Sequence, residues 1–125
     1  MAIVADLGSL QRLPPIVGQG VARELAYTAR DITADEAMGM RLVNHVYADR
    51  DALDTAAMEM AHSIAANAPL VVQGTKHVLD VCADLSVRDG LNYVATWNTA
   101  FLPSKDLGEA VQAFAQKRPP KFVGG

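Results

Sequence analysis

A mainly α-helical fold is predicted for this chain by three features of its sequence. Apolar residues recur at three- and four-residue spacing along most of its length. Ser, Thr or acidic residues stand just ahead of several such runs, where a helix needs its first free N–H groups accepted. Prolines punctuate the runs at Pro69, Pro103 and Pro119-Pro120. The composition agrees, with few aromatics and many Ala and Met among the 50% of residues that are apolar.

The first run follows Asp6, in Ala5-Asp6-Leu7-Gly8-Ser9-Leu10. An Asp there reads as the end of a loop entering a helix. Two roles stay open for it: an N-terminal cap, the commoner use of an Asp in that place, or a side chain delivered to a site. Pro14-Pro15 is expected to stop any helix and force an extended step. Gly18-Gln19-Gly20 then opens a helix over about residues 19–29, with Val21, Leu25 and Thr28 in helical register. Thr33-Ala34-Asp35-Glu36 has the form of a capping box and predicts a short helix ending near Gly39 or Met40. Residues 42–47, Leu-Val-Asn-His-Val-Tyr, are β-rich and partly alternating. They predict one short strand, which must pair elsewhere or lie as an extended connector.

Leu53, Ala57, Met60 and Ile64 mark the next helix, with Asp51 and Asp54 near its positive end and a stop around Asn67. Pro69 suits the first turn of a helix that carries Val71, Val78, Val81 and Leu85. Ser86 starts another, with Leu91, Val94, Trp97 and Phe101, closed by Pro103. Ser104 caps the last, with Leu107, Val111 and Phe114 on one face. Gly74, Gly90 and Gly108 fall in or near these helices, where each costs about 1 kcal/mol relative to Ala, and close helix packing is the usual compensation.

A net charge of −3 argues against nonspecific nucleic-acid binding, yet the charge is uneven. Lys117, Arg118 and Lys121 lie in the last nine residues, leaving eight basic against fourteen acidic groups before them. A basic tail on an acidic body suits an anionic ligand, or is simply a solvated end. Cys82 has no partner for a disulfide within the chain, as expected in a reducing compartment. Neither a signal peptide nor a membrane span is legible, so the reading is a cytoplasmic protein with no membrane or nucleic-acid partner. His45, His62 and His77 lack metal-ligand spacing, and no metal site is expected. Ser9 lacks the glycine frame of a nucleophile elbow, and Gly18-Gln19-Gly20 follows no strand. Tyr93 and Trp97, four apart, belong to a core or an interface.

Four stretches carry a family resemblance: Gly8-Ser9-Leu10-Gln11-Arg12-Leu13-Pro14, residues 26–37 from Ala26-Tyr27-Thr28 to Asp35-Glu36-Ala37, residues 42–47, and residues 113–122 from Ala113-Phe114 through Lys117-Arg118-Pro119-Pro120-Lys121-Phe122. In order and over nearly the whole chain they resemble the C-terminal half of the crotonase superfamily, the enoyl-CoA hydratases and isomerases. Ala5-Asp6-Leu7-Gly8 and Leu91-Asn92-Tyr93-Val94-Ala95-Thr96-Trp97-Asn98 look most like its Δ3,5-Δ2,4-dienoyl-CoA isomerase branch.

The resemblance implies the C-terminal helical part of a crotonase fold, lacking the N-terminal ββα-spiral core. It treats 1–125 as a single region: 1–48 the end of the core with its short strand, and 49–125 a helical oligomerisation region. Asp6 is then one of two carboxylates that move a proton along a conjugated acyl chain in fatty-acid β-oxidation. Its partner glutamate belongs upstream of Met1, and the oxyanion hole belongs to the other half. The chain thus holds one catalytic carboxylate, is expected to be inactive in isolation, and Met1 reads as an internal methionine of a shortened reading frame. The family also implies CoA phosphate contacts among Lys117, Arg118, Lys121 and Phe122, an acyl-CoA as substrate with no separate cofactor, and a homotrimer or homohexamer. The alternatives are an enoyl-CoA hydratase or Δ3-Δ2-enoyl-CoA isomerase in which Asp6 is incidental, and a noncatalytic oligomerisation or assembly module.

Overall fold

The structure, a computed structural model, describes residues 3–125. Seven helices follow one another: α1 (Ser9–Val17), α2 (Gln19–Thr28), α3 (Ala34–Gly39), α4 (Arg50–Ala65), α5 (Pro69–Cys82), α6 (Val87–Phe101) and α7 (Lys105–Ala115). The chain divides into two compact units, one up to Thr55 and one from Ala56 to Gly125, with the division inside α4.

In the first unit α1 packs on α2. Contrary to expectation, α1 runs through Pro14 and Pro15. Each proline deprives a carbonyl four residues back of its donor. Those carbonyls belong to Leu10 and Gln11, both exposed, so water can take the place of the missing N–H, while the Pro14 carbonyl still accepts from Gly18 N at 2.9 Å. The capping box forms as predicted: Thr33 Oγ1 accepts from Glu36 N at 3.2 Å and Glu36 Oε2 accepts from Thr33 N at 2.8 Å. Arg30 donates to Glu24 of α2 and Glu36 of α3, tying the two helices together across the turn. The Thr33 backbone bond first, and Arg30 second, hold Glu36 below the ordinary carboxylate value; Glu36 and then Glu24 raise Arg30.

The expected strand over 42–47 is absent: residues 42–44 bend, and 45–47 carry no regular structure. Leu42 N and Val43 N both point back to the Ala37 carbonyl, at 2.8 and 3.4 Å, and Arg41 sits at φ 64. The α3 C-terminus therefore takes the first donors a strand would use, in a Schellman-type ending. β-Propensity without a partner ladder makes no strand. Asp49 caps α4 by accepting from Ala52 N at 2.8 Å.

In the second unit α5 and α6 lie close enough that a Cβ on Gly74 would come 2.8 Å from Trp97 Nε1. Gly90 is similarly close to Cys82, a Cβ there meeting its Sγ at 3.3 Å. These two glycines have the packing reason expected of them. Gly108 does not, since nothing lies within 4 Å of its would-be Cβ. Ser86 and Ser104 cap α6 and α7 through Asp89 N and Leu107 N, at 3.2 and 3.1 Å. His77 contacts both Tyr93 and Trp97: its Nε2 is 2.7 Å from the Tyr93 hydroxyl, and its ring centroid is 4.7 Å from that of Trp97, the planes tilted by 33°.

Little of either unit is buried. Among the described residues the buried apolar set is Ala22, Ala37, Ala68 and Ala113, while Leu7, Tyr27, Val87 and Phe114 are 90, 80, 82 and 86% exposed. Burying a side chain of the larger kinds is worth about 1.5–3 kcal/mol, so these faces leave much apolar surface uncovered. No described helix is long and apolar enough to cross a membrane.

Candidate functional site

Asp6 sits in the first unit, exposed, in the loop that enters α1. It is not the cap. Gly8 holds the N-cap position, without a side-chain cap bond, and Asp6 contributes its main-chain oxygen, which accepts from Ser9 N at 3.1 Å and Ser9 Oγ at 3.0 Å. The turn is made by two consecutive left-handed residues, Leu7 at φ 54 and Gly8 at φ 83. Glycine adopts that conformation freely, whereas leucine pays a steric penalty of about 1–2 kcal/mol for it. Among the described residues no hydrogen bond engages the Asp6 carboxylate.

The basic tail belongs to the second unit. α7 ends in a Schellman motif: Arg118 N bonds the Ala113 carbonyl at 3.1 Å and Lys117 N the Phe114 carbonyl at 3.2 Å, with Lys117 left-handed at φ 52. Arg118 then folds back along the helix. Its Nη1 and Nη2 donate to Glu109 Oε1 and Oε2 at 2.6 and 2.9 Å, a two-toothed pairing. Lys121 N also donates to Glu109 Oε1, at 2.7 Å. These contacts, Arg118 foremost and the Lys121 backbone next, hold the Glu109 carboxyl down to about 2, and Glu109 raises Arg118 in turn.

One turn earlier on α7, Asp106 is 2% exposed and spends both carboxylate oxygens on the tail, Oδ1 accepting from Val123 N at 2.7 Å and Oδ2 from Gly124 N at 2.9 Å. A Gly125 main-chain oxygen accepts from Lys105 N and Asp106 N, at 2.7 and 3.2 Å. The structure thus brings Lys117, Arg118, Lys121 and Phe122 together along one segment, yet gives them different surroundings. Arg118 is committed to a carboxylate. Lys117 and Lys121 are exposed and, among the described residues, in no ion pair. Phe122 is half-buried and lines an apolar groove of about 470 Å³ with Val71, Gly74, Trp97, Phe101 and Leu107.

Sequence reasoning missed Asp106 and Glu109. The only linear signal was their spacing of three on a helix that precedes a basic, proline-broken tail. Among the described residues no group of three or more His, Cys, Asp or Glu is disposed to hold a metal ion.

A family model described as enoyl-CoA hydratase/isomerase matches residues 1–125. The chain belongs to the enoyl-CoA hydratase/isomerase family. It is 51% identical over 123 residues to the peroxisomal Δ3,5-Δ2,4-dienoyl-CoA isomerase of Arabidopsis thaliana, covering 98% of this chain and 44% of that protein. It is 43% identical over 124 residues to the mitochondrial enzyme of that name from Homo sapiens, covering 98% of this chain and 38% of that one. The chain therefore spans less than half the length of these curated relatives, matching their C-terminal part. Its fold is that of the corresponding part of an enoyl-CoA hydratase from Bacillus anthracis, with a TM-score of 0.94 and 35% identity over 99% of this chain and 48% of that one.

Proposed function

We propose that this family member forms part of an acyl-CoA-processing enzyme that isomerises a 3,5-dienoyl-CoA to the 2,4-dienoyl form, and that Asp6 is one of its proton-transfer groups. The observation that carries the reading is the Asp6 carboxylate itself. It stands exposed and unengaged among the described residues, beside a left-handed leucine, in a chain 51% identical to a protein named for this reaction. Strained backbone of this kind clusters at functional loops.

The chemistry requires little more than well-placed carboxylates. One removes a proton from the acyl chain, the electrons spread through the conjugated thioester as a dienolate, and a second group returns a proton further along, so that no atom is gained or lost. Donors elsewhere in the subunit must hold the enolate oxygen. A thioester supplies its own electron sink, so no cofactor is invoked beyond the CoA carried by the substrate. Lys117 and Lys121 suit the CoA phosphates, as ammonium groups free of other ion pairs among the described residues, and Phe122 gives an apolar flank. The isolated chain, which spans less than half of its relatives, is read as inactive.

The uncovered apolar faces support a further part of the reading, a homo-oligomer such as a trimer or hexamer, in which the rest of each subunit and neighbouring copies cover them. The location proposed is the cytoplasm; the relatives named peroxisomal and mitochondrial define the alternative that cell fractionation distinguishes.

The test is Asp6→Asn in an intact subunit carrying this sequence, assayed with a 3,5-dienoyl-CoA. Turnover is expected to fall by about 10²-fold or more, the range for loss of a general acid–base group. Undiminished turnover, or wild-type preference for hydrating a 2-enoyl-CoA, would replace this reading with the hydratase one.

A further inference from the structure

We propose that Asp106 and Glu109 form a carboxylate clamp that positions the tail after α7, so that Lys117 and Lys121 present their ammonium groups to an anionic ligand while Arg118 serves only to hold the segment in place. The ligand part of this inference rests on the proposed reading of the tail as a CoA phosphate site.

Residues 119–125 form no helix or strand. A segment without helix or sheet hydrogen bonds is ordinarily mobile unless something ties it down. Here the tie is made from one face of α7, because positions three apart on a helix stack one turn above the other. Glu109 takes the near part of the tail through the Arg118 guanidinium and Lys121 N, and Asp106 takes the far part through Val123 N and Gly124 N. The Gly125 oxygen completes the tie by accepting the two N–H groups at the start of α7, Lys105 and Asp106, which lack an intrahelical partner.

Two features argue that the clamp serves more than tail stability. Asp106 is the one buried polar or charged side chain among the described residues, and desolvating a carboxylate is costly unless its hydrogen bonds are made. Both of its oxygens bond backbone N–H groups, which fixes the path of the chain whatever side chains follow. Secondly, the only guanidinium in the tail is paired with Glu109, whereas the two lysines on either side of it in sequence remain exposed. A two-toothed arginine–carboxylate pair is the stiffer, more directional contact; an ammonium is a compact charge suited to a mobile phosphate. The division of the three cations follows from that difference.

The experiment compares Glu109→Gln, Asp106→Asn and the double variant Lys117→Gln/Lys121→Gln with wild type in an intact subunit. Two quantities are read: hydrogen exchange of the amides at 121–125, and KM against kcat for an acyl-CoA. Glu109→Gln and Asp106→Asn are expected to speed exchange and to raise KM about tenfold with kcat within about twofold, the pattern of a lost binding contact. The lysine variant should raise KM without changing exchange. Arg118→Gln opens the same pair from its other side, and serves where Glu109→Gln fails to fold. Unchanged exchange in the carboxylate variants overturns the clamp. Faster exchange with an unaltered KM overturns the positioning role. An unaltered KM in the lysine variant, with the carboxylate variants behaving as expected in exchange, overturns the CoA reading of the tail and leaves the clamp standing.

Discussion

The Glu109 carboxylate accepts from both terminal nitrogens of the Arg118 guanidinium, at 2.6 and 2.9 Å, nine residues apart in sequence and on opposite sides of a chain reversal. The pair has a defined dependence on pH. Glu109 is lowered from an ordinary 4.5 to about 2, so its stabilising contribution is complete above the ordinary value and is lost as pH falls through about 2. The Lys121 amide resonance should therefore keep its position between pH 7 and about 3 and move to a disordered value about a unit below that. A transition centred near the ordinary carboxylate value would mean that the pair does not form in solution.

Lys117 occupies the position after the α7 cap where glycine is usual, at φ 52. Lys117→Gly removes the steric cost of that conformation but adds freedom to the unfolded chain, so the expected net effect on stability is between zero and a gain of about 1 kcal/mol. The same change removes a cation from the tail and should weaken acyl-CoA binding. Chemical denaturation and a binding titration on the one variant read both effects; a stability loss above about 1 kcal/mol would contradict the left-handed assignment.

Gly74 and Gly108 both sit in helices, yet their alanine variants should move stability in opposite directions. A Cβ at position 74 would stand 2.8 Å from Trp97 Nε1, whereas one at position 108 meets nothing within 4 Å. Gly74→Ala is expected to cost about 1–3 kcal/mol as α5 and α6 are forced apart. Gly108→Ala should gain up to about 1 kcal/mol from helix propensity. Trp97 is the only tryptophan, so its fluorescence during urea unfolding reports both. Equal effects of the two substitutions would rule out the close α5–α6 approach as the reason for Gly74.

The features legible in the sequence were those made by near neighbours. Thr33 and Glu36, Ser86 and Asp89, and Ser104 and Leu107 are each three apart, and each pair forms its capping bond because a helix start places such residues together whatever surrounds them. Two local rules were overridden. Pro14 and Pro15 were tolerated within α1 because the carbonyls they orphan are at the surface. Residues 42–47 have strand character but gained no partner, since their first N–H groups close the end of α3. Asp6 was placed correctly ahead of a helix, and of the two roles its neighbours left open the cap is ruled out, because the left-handed turn at Leu7 and Gly8 shifts the helix start beyond its reach.

By itself the sequence determined a chain of helices with serine and threonine caps, an acidic body with a basic end, and an Asp at the entry to the first helix; periodicity and short-range hydrogen bonding suffice for all of these. Tertiary structure alone decided which cation of the tail is spent on a carboxylate and which two, among the described residues, are in no ion pair. Asp106 meets Val123 and Gly124 across separations of seventeen and eighteen residues, and Arg118 meets Glu109 across nine. Contacts at that range depend on how the chain reverses after Lys117, a path set by main-chain geometry that no pattern of residue types displays.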